Sequence, residues 1–194
     1  MVTAVAALVA CGGEVRIAPP SVAGIMPSAA DAPGGTSIDT TSVGPKTLEE
    51  FVSDVGVRSR LTTFGFRLAY VSSFMSPNFV PDKSTAPLGA AFYGTSGILL
   101  RDEEAAAGAL AYYRDRLQAR AKDFNAFVLD EELGSEAFAF RFSALDDTPL
   151  PGLAMLFRFG NALFSVVGVG NPGPDPAVTR ALASKIAGRA EAAA

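Results

Sequence analysis

A chain of 194 residues, 49% of them hydrophobic and with a net charge of −4, holds enough apolar material for one domain with a real core. Its 16 basic residues against 20 acidic ones exclude the concentrated positive surface that a nucleic-acid partner requires. One cysteine allows no disulfide within this chain, and the absence of histidine removes Ser-His-Asp and Cys-His catalysis and any histidine-ligated zinc or haem.

The chain opens on Val2–Ala10 (VTAVAALVA), apolar or small throughout, followed by Cys11-Gly12-Gly13. Leu8 at −3, Val9 and Ala10 before Cys11 resemble the lipobox of a bacterial lipoprotein signal, and Cys11 is the only cysteine. The resemblance implies export, cleavage before Cys11 and attachment of palmitate-bearing lipid to its thiol. It also implies a location on the outer, extracytoplasmic side of the cell membrane. Met1–Ala10 contains no Lys or Arg, so the positively charged start of such a signal is expected upstream. The apolar run falls well below the roughly 20 residues that a membrane-spanning helix needs.

From Cys11 to Pro45 the chain is broken by Pro19-Pro20, Pro27, Pro33-Gly34-Gly35 and Gly44-Pro45. No helical or strand period survives there, which predicts a flexible tether. Val15, Ile17, Val22, Ile25 and Met26 are its candidates for packing along a domain surface. The expected organisation is a signal over 1–10, a lipidated cysteine and tether over 11–45, and a single domain over 46–194.

Thr47 and Glu50 have capping-box spacing, which predicts a two-turn helix through Val55 that Gly56 closes. Residues 66–74 and 89–100 read as strands, with Gly94 and Gly97 marking a bulge or a close backbone approach. Asp102 opens a long helix with acids in its first turn and Arg114, Arg116 and Arg120 later, as the helix dipole favours. Ala106, Leu110, Tyr113, Leu117 and Phe124 form its buried stripe. Phe138, Phe140 and Phe142 alternate along the next strand. Residues 153–159 and 162–169 form a hairpin around Gly160-Asn161, with Phe157 opposite Phe164 and Met155 opposite Val166. Asp175 and Pro176 then start the last helix. The fold class expected is α+β, an antiparallel or mixed sheet with helices packed on one face. The hairpin FRFGNALFSVVGVG and the helix ALASKIAGR resemble the photosystem-extrinsic-protein-like domains of actinobacterial lipoproteins.

Candidate chemistry is sparse. Gly168–Gly173 (GVGNPG) has G-x-G-x-x-G spacing, but too few residues follow for a βαβ unit. Asp130-Glu131-Glu132 with Glu136, and Asp146 with Asp147, lack the spacing of a calcium loop, so no metal and no cofactor is expected. Arg141 and Arg158 interrupt apolar strands and are candidates for receiving an acidic ligand or partner on an exposed sheet face. Tyr70 and Tyr93 are candidate groove linings. The expected function is a membrane-tethered binding or protein-interaction domain for an envelope protein or small ligand, attached to the membrane through its lipid alone. The alternatives are an envelope hydrolase using paired carboxylates and a structural envelope protein.

Overall fold

The computed structural model describes residues 15–80, 86–129, 132–146 and 149–194; the signal-like run and Cys11 lie outside them. At the centre stands the hairpin of β9 (Gly152–Phe159) and β10 (Ala162–Gly170). Its register is the one the alternation of large apolar groups demands: Phe157 faces Phe164, Met155 faces Val166 and Leu156 faces Ser165. Gly160 turns the hairpin at a φ of 53°. A Cβ there would lie 2.1 Å from the carbonyl oxygen of Val15, so only glycine fits.

The sheet grows outward from this hairpin. β10 pairs with β4 (Ala91–Leu99), and β4 with β3 (Leu68–Met75). On the other side β9 pairs with β7 (Glu136–Phe142), and β7 with the short edge strand β6 (Asn125–Phe127). β1 (Ser37–Ile38) and β2 (Gly44–Lys46) share the outer edge of β3. Every described pairing is antiparallel, and the α+β class holds. β4 runs through Gly94 and Gly97 without a bulge. Gly97 instead permits a close approach, since a Cβ would stand 2.9 Å from the Met26 sulfur.

Helices cover both faces of the sheet, where a single helical face was expected. Residues 153, 155 and 157 point to one side and pack with Leu182 and Ile186 of α5 (Pro176–Ala192). Residues 154 and 156 point to the other and pack with Ala106 and Leu110 of α4 (Glu103–Arg120). The physical reason is written in β9 itself. Its residues 152–157 are all buried, the continuous apolar run of a strand covered on both sides rather than the alternation of a half-wet one.

The second correction concerns the tether. From Val15 on, the segment is docked against the domain: Ile17, Val22, Ile25 and Met26 are each no more than 2% exposed. Pro19 and Pro20 do not break structure here; they start α1 (Pro19–Ile25), where a missing N–H costs nothing. The Ile17 N–H donates to Asn161 Oδ1 at 2.7 Å, and Asn161 Nδ2 donates to the carbonyls of Ile17 and Leu100. Further along, Asp31 receives Lys185 and Arg189 of α5 at 3.0 Å each. The ordered domain therefore begins some thirty residues before Thr47.

Local differences have local causes. The Thr47–Glu50 capping box forms, but its helix α2 (Leu48–Phe51) stops after one turn. Asp54 then caps a new helix, α3 (Val55–Thr63), by accepting the Val57 N–H at 2.9 Å, and Gly56 lies inside it. α4 ends at Arg120, where β5 (Ala121–Lys122) pairs with β8 (Ala144–Leu145). Phe124 therefore joins the core from outside the helix, its ring 4.8 Å from that of Phe140.

Burial alone would raise the pKa of Asp31, but the Arg189, Ser28 and Lys185 hydrogen bonds outweigh it and hold the carboxyl well below its usual range. The folded state thus binds fewer protons there than the unfolded chain. The resulting stability is complete above about pH 4 and drains as pH falls below it. Asp31→Asn should cost about 2 kcal/mol at neutral pH. It should also flatten the decline below about pH 4, as read from urea midpoints across pH.

Candidate functional site

The two faces of the sheet determine which sequence-predicted residues can act together. Arg158 lies in register with Glu136, on the face that carries α4. Its guanidinium donates to Glu103 Oε1 at 2.8 Å and Glu136 Oε2 at 3.1 Å, leaving the side chain 15% exposed. Burial works against its charge, and the two carboxylates more than compensate, so its pKa is raised. Arg158 is a structural tie between α4 and β7. Arg141 faces the opposite way, in register with Leu153. It is exposed, and its guanidinium sits 5.2 Å from the centre of the Phe127 ring. The proposed arginine pair therefore does not exist as one surface.

Tyr93 is buried, and its hydroxyl accepts the Asp175 N–H at 3.3 Å at the start of α5. Burial, partly offset by that bond, raises its pKa. Tyr70 is half-buried against the α5-side core. Tyr70 belongs to packing, Tyr93 also lines a hollow of about 320 Å³ beside Asn171 and Asp175, and neither shares a cavity with Arg141 or Arg158 among the described residues. Cys11 lies outside the described residues, as do Asp130, Glu131 and Asp147 of the acidic clusters. Asp146 pairs with Arg120.

The structure instead assembles a cleft that no sequence motif announces. On the α4 face, Ser96 of β4 and Ser165 of β10 are direct neighbours across the sheet. Their hydroxyls are 2.8 Å apart. Two small side chains at the centre of a sheet leave space where Leu or Ile would have filled it. The result is a cavity of about 170 Å³. Ile98, Leu156, Leu163 and Val167 supply apolar floor, and Leu117, Tyr113 and Phe51 close it from the helices above. Burial pushes the Tyr113 phenol far above its usual pKa, so it stays a neutral hydroxyl. Among the described residues nothing hydrogen-bonds that hydroxyl. An apolar wall with three hydroxyls is the usual make-up of a small-ligand site: area supplies affinity and a few polar groups set orientation.

A second hollow, about 600 Å³ and open to solvent, lies beside β6 and β7 and is lined by residues 126–129 and 132–139. Its apolar members include Phe127, Leu129 and Leu133.

With this geometry in view, the fold is similar to the crystal structure of the extracellular domain of PknH from Mycobacterium tuberculosis. The TM-score is 0.58 over 93% of this chain and 100% of that one, at 8% sequence identity. At that identity the likeness is one of fold. No protein-family model matches the sequence, and no curated protein sequence does. The resemblance to photosystem-extrinsic-protein-like domains therefore stands on element order and on the hairpin and helix segments alone. Among the described residues no helix is long and apolar enough to cross a membrane.

The two arginines should separate cleanly by mutation. Arg158→Ala removes two charged hydrogen bonds and should cost about 2–3 kcal/mol of unfolding free energy. Arg141→Ala should change it by no more than about 1 kcal/mol, the scale of an exposed cation–π contact. Urea denaturation of both variants checks this.

Proposed function

We propose that this chain is an extracytoplasmic binding domain, lipid-anchored through Cys11, that takes a small apolar ligand with one hydrogen-bonding group. The observation that carries the ligand is the Ser96–Ser165 cleft, whose apolar walls hold the paired serine hydroxyls and Tyr113 in one lining. Its volume of about 170 Å³ matches the scale at which an apolar protein cavity accepts one benzene-sized molecule. The extracytoplasmic location is supported by the lipobox-like Leu8–Cys11 and by the likeness of fold to a domain described as extracellular.

A second reading assigns binding to a protein partner at the open hollow beside Arg141. The exposed guanidinium over Phe127 favours it, since no described carboxylate engages that cation. The partner would present an acidic side chain there.

Phenol and indole serve as probes of the first reading. Titrated into the protein, either should shift the amide resonances around Ser96, Tyr113 and Ser165, and Ser165→Leu, which fills the floor, should abolish the effect. Shifts that ignore the cleft, or that persist unchanged in Ser165→Leu, would contradict it. Anchoring is read separately: Cys11→Ser should move the protein from the detergent phase to the soluble fraction, and unchanged partitioning would remove the lipid from the account. Two acyl chains hold a protein at a membrane where one is marginal.

A further inference from the structure

The docked N-terminal segment has a consequence for how an anchored molecule stands on its membrane. Four residue steps separate Cys11 from Val15, a reach of roughly 14 Å when fully extended. Val15 is held against the Gly160 turn, and Ile17 is clamped by Asn161. The point of attachment is therefore within a short reach of one particular end of the sheet. That end carries the β9–β10 turn, Leu68 and Leu99 at the facing ends of β3 and β4, and Ser135, whose N–H donates to the Arg158 carbonyl. The opposite end carries the turn from Asn171 to Asp175 and Leu88, which is 80% exposed. Nine residues of β10, Ala162–Gly170, separate the two ends, about 27 Å at a strand's rise.

We propose that the Gly160–Asn161 end of the domain rests against the bilayer and that the Leu88 end projects away from it. This rests on the reading of Cys11 as the lipidated residue. A docked segment leaves no long stalk, so the domain is held in contact with the headgroups instead of sweeping a wide volume. Charges of both signs occupy the contacting end, Arg16, Arg67 and Arg101 with Asp102 and Glu104, so attachment geometry and not a basic patch carries the proposal. Arg67 donates to the Arg101 carbonyl and has no carboxylate partner among the described residues, which leaves it able to donate to a lipid phosphate. In this pose both flanks of the sheet, and with them the serine cleft, stand upright beside the membrane, and the Leu88 end is the one presented to other molecules.

The protein contains no tryptophan and a single cysteine, which makes the test direct. The full chain is coupled through the Cys11 thiol to maleimide-headgroup lipid in phosphatidylcholine vesicles that contain headgroup-level doxyl quencher. Tryptophan is introduced at one of two exposed positions, Ser135→Trp or Leu88→Trp, with circular dichroism confirming that each variant is folded. The expected result is at least threefold stronger quenching at position 135 than at position 88. Equal quenching, or stronger quenching at 88, would overturn the orientation. Chemical coupling fixes the anchor whether or not cells acylate Cys11. Failure here therefore speaks against the pose, and failure of the partitioning experiment against the lipid.

Discussion

The carboxamide of Asn161 gives Ile17 the acceptor and the donor that a neighbouring β-strand would give it. It also donates to Leu100, whose own N–H donates back to the Asn161 carbonyl. Asn161 is 1% exposed, so each of these groups would be left without water if the amide were removed. One side chain thus joins the central hairpin, the end of β4 and the N-terminal segment. The four apolar side chains that the segment buries depend on that junction. At about 1.5–3 kcal/mol for each, they amount to a large share of the roughly 5–15 kcal/mol that separates a folded domain from its unfolded chain.

Covering the sheet on both faces is the second consequence of the same arrangement. α1 and α5 close one side, and α4 with α2 and α3 closes the other. A sheet buried on both sides must fill its centre with apolar side chains, and β9 does so without interruption from Leu153 to Phe157. Ser96 and Ser165 depart from that rule at adjacent positions. Their hydroxyls satisfy one another, so the departure costs no unpaired polar group, and what it leaves is space. Departures of this kind, where local packing is given up without an evident gain in stability, are where a function is reasonably sought.

Much of the fold was legible in the sequence where period and turn chemistry agreed. The Gly160-Asn161 hairpin was read in its correct register because large apolar groups match at every second position and a one-residue slip would mismatch them all. Asp175 caps its helix as its place before Pro176 predicts, and Asp102, expected within the first turn of α4, stands one residue earlier as its cap. The docking of the N-terminal segment shows in the sequence only as five apolar candidates, of which Ile17, Val22, Ile25 and Met26 pack, because its order comes from long-range contacts. Proline and glycine content signals broken local period, and nothing local records that Asn161 lies 144 residues away from its partner. The candidate site was legible only as single residues. Arg141 and Arg158 belong to different strands, and their opposite faces follow from a β7–β9 register that no turn motif specifies. The serine pair was invisible for the same reason, since Ser96 and Ser165 meet only once β4 and β10 are paired.

Residues 15–46 are part of the folded domain and not a stalk. Thermal unfolding of a chain that begins at Gly44, set beside the full-length protein, tests this most directly. The expected result is loss of a cooperative transition, or a midpoint lowered by more than about 10 °C, which is the scale expected when several buried side chains are removed from a domain of this size. A cooperative transition within about 2 °C of the full-length midpoint would contradict it.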